Sequence, residues 1–167
     1  MAGASSFDVS TGADLQEVDN AVNQALKEIG QRYDFKGSHV TIELDRAQAE
    51  IRLHADDEFR MKQVLDVVMQ KCAKRGVPLK NVKTGDLIPS VGTSVRCTLT
   101  LTQGIPQDTA RAIQKAIKEG GFKKVQAAIQ GDELRVTSPS KDELQTVIAF
   151  LKSRDFGLEL KFGNYRG

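Results

Sequence analysis

The sequence VQAAIQGDELRVTSPSKDELQTVIAFL, at residues 125–151, decides the fold of this chain. Apolar residues occupy every second position on both sides of Gly131-Asp132, which is the pattern of two half-buried strands joined by a tight turn. Ser140 then precedes Glu143 at the spacing of a capping box, and apolar residues recur behind it at helical intervals. The stretch therefore predicts a strand, a turn, a second strand and a helix.

The same pattern occurs earlier in the chain. Residues 50–53, EIRL, align with residues 133–136, ELRV, and residues 21–28, AVNQALKE, align with residues 112–119, AIQKAIKE. The two copies differ in length around residues 32–37, between the first helix and the strands that follow it. These matches predict an internal duplication in which the first copy carries an extra loop.

Further strands complete each copy. Residues 7–9 and 95–101 alternate apolar and polar side chains ahead of a predicted helix, and residues 79–82 and 158–162 follow the last helix of each copy. Residues 86–92 are predicted to link the copies. The expected fold is α+β, with tandem duplicated ferredoxin-like (RNP-like) βαββαβ domains. Each domain would have a four-stranded antiparallel sheet with two helices on one face.

The apolar side chains indicate the core of each copy. In the second helix, Phe59 and Val64 are both predicted to face the sheet. Cys72 and Cys97 fall at apolar positions in different copies, and we expect two buried free thiols rather than a disulfide.

The composition limits the classes of function. The chain has 167 residues, with 24 basic and 22 acidic side chains and a net charge of +2, so no strongly basic field predicts nucleic-acid binding over the whole surface. No apolar run is long enough to cross a membrane, and no secretory signal is recognisable. We therefore expect a cytoplasmic protein that does not associate with a membrane.

The sequence contains no pattern that indicates catalysis. His39 and His54 have no Cys, Ser or carboxylate nearby at the spacing of a metal site or a catalytic triad, and both are interpreted as surface strand residues. A Gly-rich phosphate loop of the GxxxxGK[ST] type is absent from the sequence. We interpret the chain as a binding protein with no catalytic residues, no cofactor and no metal.

The extra loop of the first copy is the main candidate binding site. Arg32 and Lys36 suit a phosphate diester, Tyr33 and Phe35 suit a purine face, and the Asp34 carboxylate suits the N1–H and N2–H₂ groups of guanine. In the alternative interpretation, the two aromatic residues fill the end of the core and the charged residues decorate a turn.

Two further groups are candidates for nucleotide binding. Asn164, Tyr165 and Arg166 offer similar chemistry near the last strand, and Gln130 and Arg135 are placed to contact base edges on an open sheet face. The alternatives are a terminal strand held by Tyr165 and an ordinary solvated strand face.

The predicted open faces do not suit RNA binding by stacking. RNP-like domains that bind RNA stack bases on aromatic side chains of their central strands. The outward positions of the two predicted hairpins carry no aromatic residue; they are Thr41, Glu43, Glu50, Arg52, Gln126, Ala128, Gln130, Glu133, Arg135 and Thr137.

Several segments together resemble the YajQ family. They are SFD at residues 6–8, RYDFKG at residues 32–37, QGI at residues 103–105, VQAAIQGD at residues 125–132 with RVT at residues 135–137, and NYR at residues 164–166. The resemblance covers nearly the whole chain. It implies a bacterial cytoplasmic protein of two ferredoxin-like domains that exchange their N-terminal strands. It also implies nucleotide binding, cyclic di-GMP binding in some members, action with transcription regulators, and no catalysis.

The resemblance sets the expected domains and function. Residues 13–102 would form the first domain, and residues 1–12 with 103–167 the second; without the exchange, the domains would be residues 1–88 and 89–167. We expect a non-enzymatic protein that binds cyclic di-GMP or a related guanine nucleotide and acts through a protein partner, such as a transcription regulator. The alternative is an RNA-binding protein or a partner of RNA complexes.

Overall fold

A computed structural model describes residues 4–167 of the chain, which form four α-helices and nine strands. The helices are α1 (Leu15–Gln31), α2 (Glu58–Lys74), α3 (Gln107–Glu119) and α4 (Lys141–Lys152). The strands are β1 (Ser5–Ser10), β2 (Thr41–Asp45), β3 (Glu50–Ala55), β4 (Val82–Thr84), β5 (Ile88–Pro89), β6 (Val95–Leu101), β7 (Gln126–Gln130), β8 (Glu133–Ser138) and β9 (Lys161–Arg166). Two 3-10 turns lie at Tyr33–Phe35 and Leu79–Asn81.

The strands form two antiparallel sheets, with the orders β7-β8-β1-β9 and β2-β3-β6-β4, and β5 pairs with β6. In the first sheet, Phe7 of β1 lies opposite Val136 of β8. In the second, Cys97 of β6 lies opposite Leu53 of β3. Each sheet has the strand order of a ferredoxin-like fold, and the predicted duplicated α+β architecture is confirmed.

The chain forms two compact units, which we describe separately. One unit is Gly12–Gln103, and the other combines the chain up to Thr11 with Gly104–Gly167. The sheet of the Gly12–Gln103 unit contains β6 together with the strands that follow α1. The sheet of the second unit, which includes Gly104–Gly167, contains β1 together with the strands that follow α3. Residues 1–3 lie outside the described residues.

The core of the Gly12–Gln103 unit lies between one face of its sheet and α1 and α2. The helix α1 begins at the cap Asp14, whose carboxylate accepts from the backbone N–H of Gln16. Alternate residues of β3 and β6, such as Ile51 and Leu99, are fully buried against Met61 and the other apolar residues of the helices. Cys72 and Cys97 belong to this core as free thiols, as predicted.

The other unit has its own core, in which β1 is central. Phe7 and Val9 are fully buried with residues of α3, β8 and α4. Gly131 has a φ of 63° in the tight turn between β7 and β8, a conformation that favours glycine at the first central position of a two-residue hairpin loop. The Ser140 hydroxyl accepts from the backbone N–H of Glu143, which confirms the predicted cap of α4.

One strand starts later than the sequence predicted. Residues 79–82 were expected to form the fourth strand, but Leu79–Asn81 form a 3-10 turn and β4 begins at Val82. The buried Asn81 side chain donates from Nδ2 to the carbonyl of Thr102 at 2.8 Å, and the Thr102 N–H donates back to the carbonyl of Asn81 at 2.8 Å. These bonds stabilise the turn. The linker expected at residues 86–92 contains β5.

Two side chains lie elsewhere than the sequence predicted. Phe59 was placed in the core, but it is 65% exposed, and Met61 is the first buried residue of α2. Met61 and Val64 define the buried side of this helix, and Phe59 is about 200° away from Met61 around the helix axis. His39 precedes β2 rather than lying in a strand, while His54 lies in β3 as predicted.

Candidate functional site

The extra loop of the first copy forms a 3-10 turn, and we call residues 32–38 the α1–β2 corner. The turn is closed by backbone bonds from Phe35 N–H to the Arg32 carbonyl at 3.2 Å and from Lys36 N–H to the Tyr33 carbonyl at 3.0 Å. Because a 3-10 helix has three residues per turn, side chains two positions apart point in different directions. Phe35 is therefore 4% exposed in the core, whereas Tyr33 is 87% exposed.

Arg32 and Asp34 form a two-point ion pair at this corner. Arg32 donates from Nε to Asp34 Oδ1 at 3.0 Å and from Nη2 to Oδ2 at 2.7 Å, and its Nη1 lies 3.5 Å from Glu28. The hydrogen bond from Arg32 is the main reason that the pKa of Asp34 lies below its ordinary value and that the pKa of Arg32 is raised. The pair stays charged over the physiological pH range and holds the turn in one conformation.

Lys36 and Tyr33 present a cation and an aromatic ring to solvent. The Lys36 ammonium lies 5.9 Å from the centroid of the Tyr33 ring, and Lys36 forms no ion pair within the described residues 4–167. A cavity of about 610 Å³ opens beside them, and its walls include Arg32, Phe35 and Ser38. The corner therefore combines an unpaired ammonium, an open ring and a concave surface.

The first turns of α2 contribute three residues that the sequence interpretation missed. The Arg60 guanidinium lies between two rings, 5.8 Å from the Phe35 centroid and 5.7 Å from the Phe59 centroid. Arg60 also donates to Gln63 at 3.0 Å, and Gln63 donates in turn to Asp34 at 3.3 Å. The helical phase set by Met61 and Val64 was a signal that Phe59 lies outside the core.

The other predicted residues lie in the unit that contains β1. Arg135 and Asn164 converge on Asp8: Arg135 Nε donates to Oδ1 at 2.9 Å, and Asn164 Nδ2 donates to Oδ2 at 2.6 Å. The hydrogen bond from Arg135 is the largest cause of the lowered pKa of Asp8. Gln130 is exposed at the end of the β7–β8 hairpin, where it pairs with Glu133 and does not join this group.

Tyr165 and Arg166 line a small pocket between β1, β9 and α4. Its volume is about 290 Å³, and Lys141 and Ser6 share its rim. The Tyr165 ring is 61% exposed and lies 6.4 Å from the buried ring of Phe7. The structure thus groups Arg32–Lys36 at one place and Tyr165–Arg166 at another, in different units.

The central strands of both sheets lack aromatic side chains on their open faces. The sequence interpretation took the hairpin strands as central, but β1 and β6 occupy central positions together with β8 and β3. The outward residues of β1 and β6 are Ser6, Asp8, Ser10, Arg96, Thr98 and Thr100. Neither face offers the stacking platform that RNA-binding domains of this topology use.

Among residues 4–167, no group of three His, Cys, Asp or Glu side chains has the arrangement of a metal site. Burial raises the pKa of Cys72 to about 11 and also raises that of Cys97, so neither thiol has the properties of a nucleophile. No helix within the same residues has the length and apolar character needed to span a membrane.

The strand order, the duplication and the polar open faces define a tandem ferredoxin-like protein with one concave candidate site beside α1 and another beside α4. The chain belongs to the family described as "Nucleotide-binding protein YajQ-like", which matches residues 5–166. Proteins named "Nucleotide-binding protein" are similar over nearly their whole length. The relative from Carboxydothermus hydrogenoformans is 51% identical over 99% of this chain and 100% of its own, and that from Solibacter usitatus is 46% identical over 96% of each.

Proposed function

We propose that this protein binds a guanine nucleotide, with cyclic di-GMP as the principal candidate, at the α1–β2 corner. The observation that carries the proposal is the 87% exposed ring of Tyr33 beside the unpaired ammonium of Lys36, over a cavity of about 610 Å³. Ligand sites are usually concavities of about 300–1,000 Å³ with a few converging polar groups. The names of the relatives, "Nucleotide-binding protein", support the same class of ligand.

The base and the phosphate of a guanine nucleotide each have a complementary side chain at the α1–β2 corner. A purine base stacks on Tyr33, and the phosphate is neutralised by Lys36. Arg32 donates to both carboxylate oxygens of Asp34 and Gln63 donates to Oδ2, so three of the roughly four acceptor sites of the ionised carboxylate are occupied. Asp34 Oδ1 therefore keeps acceptor capacity for one N–H group of guanine, and Arg32 positions it.

The protein acts as a binding protein rather than as an enzyme in this proposal. The corner supplies groups that hold a ligand, and the nucleotide-bound form passes a signal to a protein partner such as a transcription regulator. Tyr165, Arg166 and Lys141 form the second place at which a base and a phosphate are accommodated, because an exposed ring and two cations again surround a pocket.

Calorimetric titration tests the proposal directly. Cyclic di-GMP and GMP are titrated into the wild-type protein at moderate salt, and then into Tyr33→Leu and the control Val91→Ala, a change at an 89% exposed residue that does not line the cavity. Tyr33→Leu is expected to weaken binding by about tenfold, since aromatic stacking of a base contributes roughly 1–3 kcal/mol. Equal affinity in Tyr33→Leu and the parent would exclude the corner as the site.

The same titrations separate a nucleotide from RNA. A dinucleotide with two phosphates should show a shallow dependence of affinity on salt, whereas RNA bound through many phosphates should dissociate steeply as salt rises. A steep dependence with oligoribonucleotides and no heat with cyclic di-GMP would support the RNA alternative.

A further inference from the structure

The strand β7 forms a free edge of its sheet. It pairs with β8 on one side, and no described strand lies on the other side. Gln130 and Glu133 flank the two-residue turn and form the first hydrogen-bonded pair, so bonded and non-bonded pairs alternate from there. Ala127 and Ile129 fall at non-bonded positions, and their N–H and C=O groups consequently point away from β8.

One hydrogen bond agrees with this assignment. Gln114 of α3 donates from Nε2 to the Ala127 carbonyl at 2.6 Å, on the side of β7 that is away from β8. The N–H and C=O of Ile129 have no such partner within residues 4–167, and Ile129 is therefore the place where an added strand can pair without displacing Gln114.

A groove runs between this edge and helix α3, and we call it the α3–β7 groove. Its volume is about 860 Å³. Ile117, Phe122 and Val125 line it with apolar surface, and Arg111, Lys115 and Lys118 line it with positive charge. Lys115 lies 3.9 Å from Glu119, whereas Arg111 and Lys118 form no ion pair in the part of the chain that the structure describes.

The spacing of the cations matches the spacing of side chains along a strand. Arg111 and Lys115 are about 6 Å apart along the axis of α3. Alternate residues of a strand, which point to the same face, are separated by roughly 6.6–6.8 Å. Acidic side chains at alternate positions of an added strand would therefore each reach one cation of α3.

We propose that the α3–β7 groove binds an extended acidic segment of a partner protein, which adds to the sheet as a strand beside β7. Main-chain bonds to Ile129 provide affinity, and carboxylates facing the three cations of the groove, Arg111, Lys115 and Lys118, provide specificity. This surface is separate from the α1–β2 corner, and the proposal does not depend on nucleotide binding. RNA fits the groove less well, because Phe122 is the single aromatic residue of its lining and that ring already packs against Phe150, with the ring centroids 5.1 Å apart.

Two peptides with the same composition test the pairing in the wild-type protein. Both are capped peptides of alternating Glu and Val, one N-methylated at odd positions and the other at even positions. In an added antiparallel strand, the arrangement of every pair in this sheet, only one of these sets faces β7, so we expect the affinities of the two peptides to differ by about tenfold. Equal affinities would overturn antiparallel strand addition. The unmethylated peptide should also slow hydrogen exchange of the Ile129 N–H, and unchanged exchange at saturation would overturn the proposal as well.

Charge variants test the acidic character of the partner. Arg111→Glu with Lys118→Glu should weaken binding of the unmethylated peptide by about tenfold or more. The control Lys62→Glu with Lys74→Glu makes the same change of net charge at exposed positions of α2 and should leave affinity within about twofold. Equal losses in both variants, or binding of oligouridylate but not of the peptide at this groove, would overturn the proposal.

Discussion

Arg135 and Asp8 form a direct cross-strand ion pair, with Arg135 Nε 2.9 Å from Asp8 Oδ1, although they lie 127 residues apart in the sequence. Asp8 is central in β1 and Arg135 lies opposite it in β8. Asn164 of β9 donates to the second oxygen of the carboxylate at 2.6 Å. Asp8 thus joins three strands on the open face of one sheet, and its side chain is only 14% exposed.

The ion pair predicts how stability depends on pH. The pKa of Asp8 is lowered in the folded protein, chiefly by the hydrogen bond from Arg135. The carboxylate therefore stabilises the fold above its unfolded pKa of about 3.9, and this contribution is lost as the pH falls through the lower folded pKa. Asp8→Asn should lower the free energy of unfolding by roughly 1–2 kcal/mol at pH 7, as expected for loss of charge-assisted bonds.

Urea unfolding at neutral pH and below about pH 3 measures this difference. The gap between Asp8→Asn and the parent should shrink at the lower pH, because below the unfolded pKa the unfolded parent binds a proton that the folded carboxylate resists. Asp66→Asn, at an exposed position of α2, serves as the control. A gap that stays constant with pH would show that Asp8 contributes through packing alone.

The sequence predicted the local elements well because they depend on neighbouring residues. The alternation before and after Gly131 and the Ser140 cap both have short-range causes, and both are found in the structure. The predicted start of β4 was wrong because the true start depends on the hydrogen bonds between Asn81 and Thr102, which lie 21 residues apart in the sequence. Patterns within one segment contain no information about such a partner.

The candidate site was only partly predictable for the same reason. The segment 32–37 could be selected as a candidate site because the second copy has no counterpart of it. The sequence does not show, however, that Arg32 and Asp34 neutralise each other or that Gln63 of α2 reaches Asp34. Tyr33 and Phe35 were treated as equivalent aromatics. The 3-10 geometry places one in solvent and the other in the core.

Alanine substitutions of Lys36 and of Arg32 should affect nucleotide affinity and melting temperature differently, although both are basic residues of the α1–β2 corner. Lys36→Ala removes an exposed, unpaired ammonium and should weaken guanine-nucleotide binding by about ten- to a hundredfold with little change in the melting temperature. Arg32→Ala breaks the two-point bond to Asp34 and should also lower the melting temperature. Calorimetry and thermal melts measure both, with exposed Lys27→Ala of α1 as the control. An unchanged affinity in Lys36→Ala would exclude it from the phosphate site.

The two thiols should be inert in the folded protein. Cys72 is fully buried with a pKa of about 11, and burial also raises the pKa of Cys97. Only a very small thiolate fraction is present at pH 8, and reagents have no direct access to either sulfur. Reaction with a chromogenic disulfide should be slower by about a hundredfold or more than in denaturant, at a rate set by opening of the fold. Rapid reaction of either thiol under native conditions would contradict its burial.

The strand order predicts that the two units differ in their ability to fold alone. The fragment 12–103 contains every strand of its sheet, from β2 to β6, and both helices of its core. The fragment 104–167 lacks β1, and with it the fully buried Phe7 and Val9 between β8 and β9. We therefore propose that fragment 12–103 is an autonomous domain and that fragment 104–167 is not.

Joining residues 4–11 directly to residue 104 tests the role of β1. The joined chain supplies β1 to its own sheet, in the order of an ordinary ferredoxin-like domain, and should unfold cooperatively on heating, as fragment 12–103 should. Fragment 104–167 should show no cooperative transition, since a small unit that loses its central strand cannot bury enough apolar surface to fold. A cut after residue 92 should instead disrupt both units, because it separates β6 from β3 and leaves β1 on the wrong fragment. Circular dichroism melts of these five chains measure the outcomes, and a cooperative transition of fragment 104–167 equal to that of the joined chain would contradict the assignment of β1.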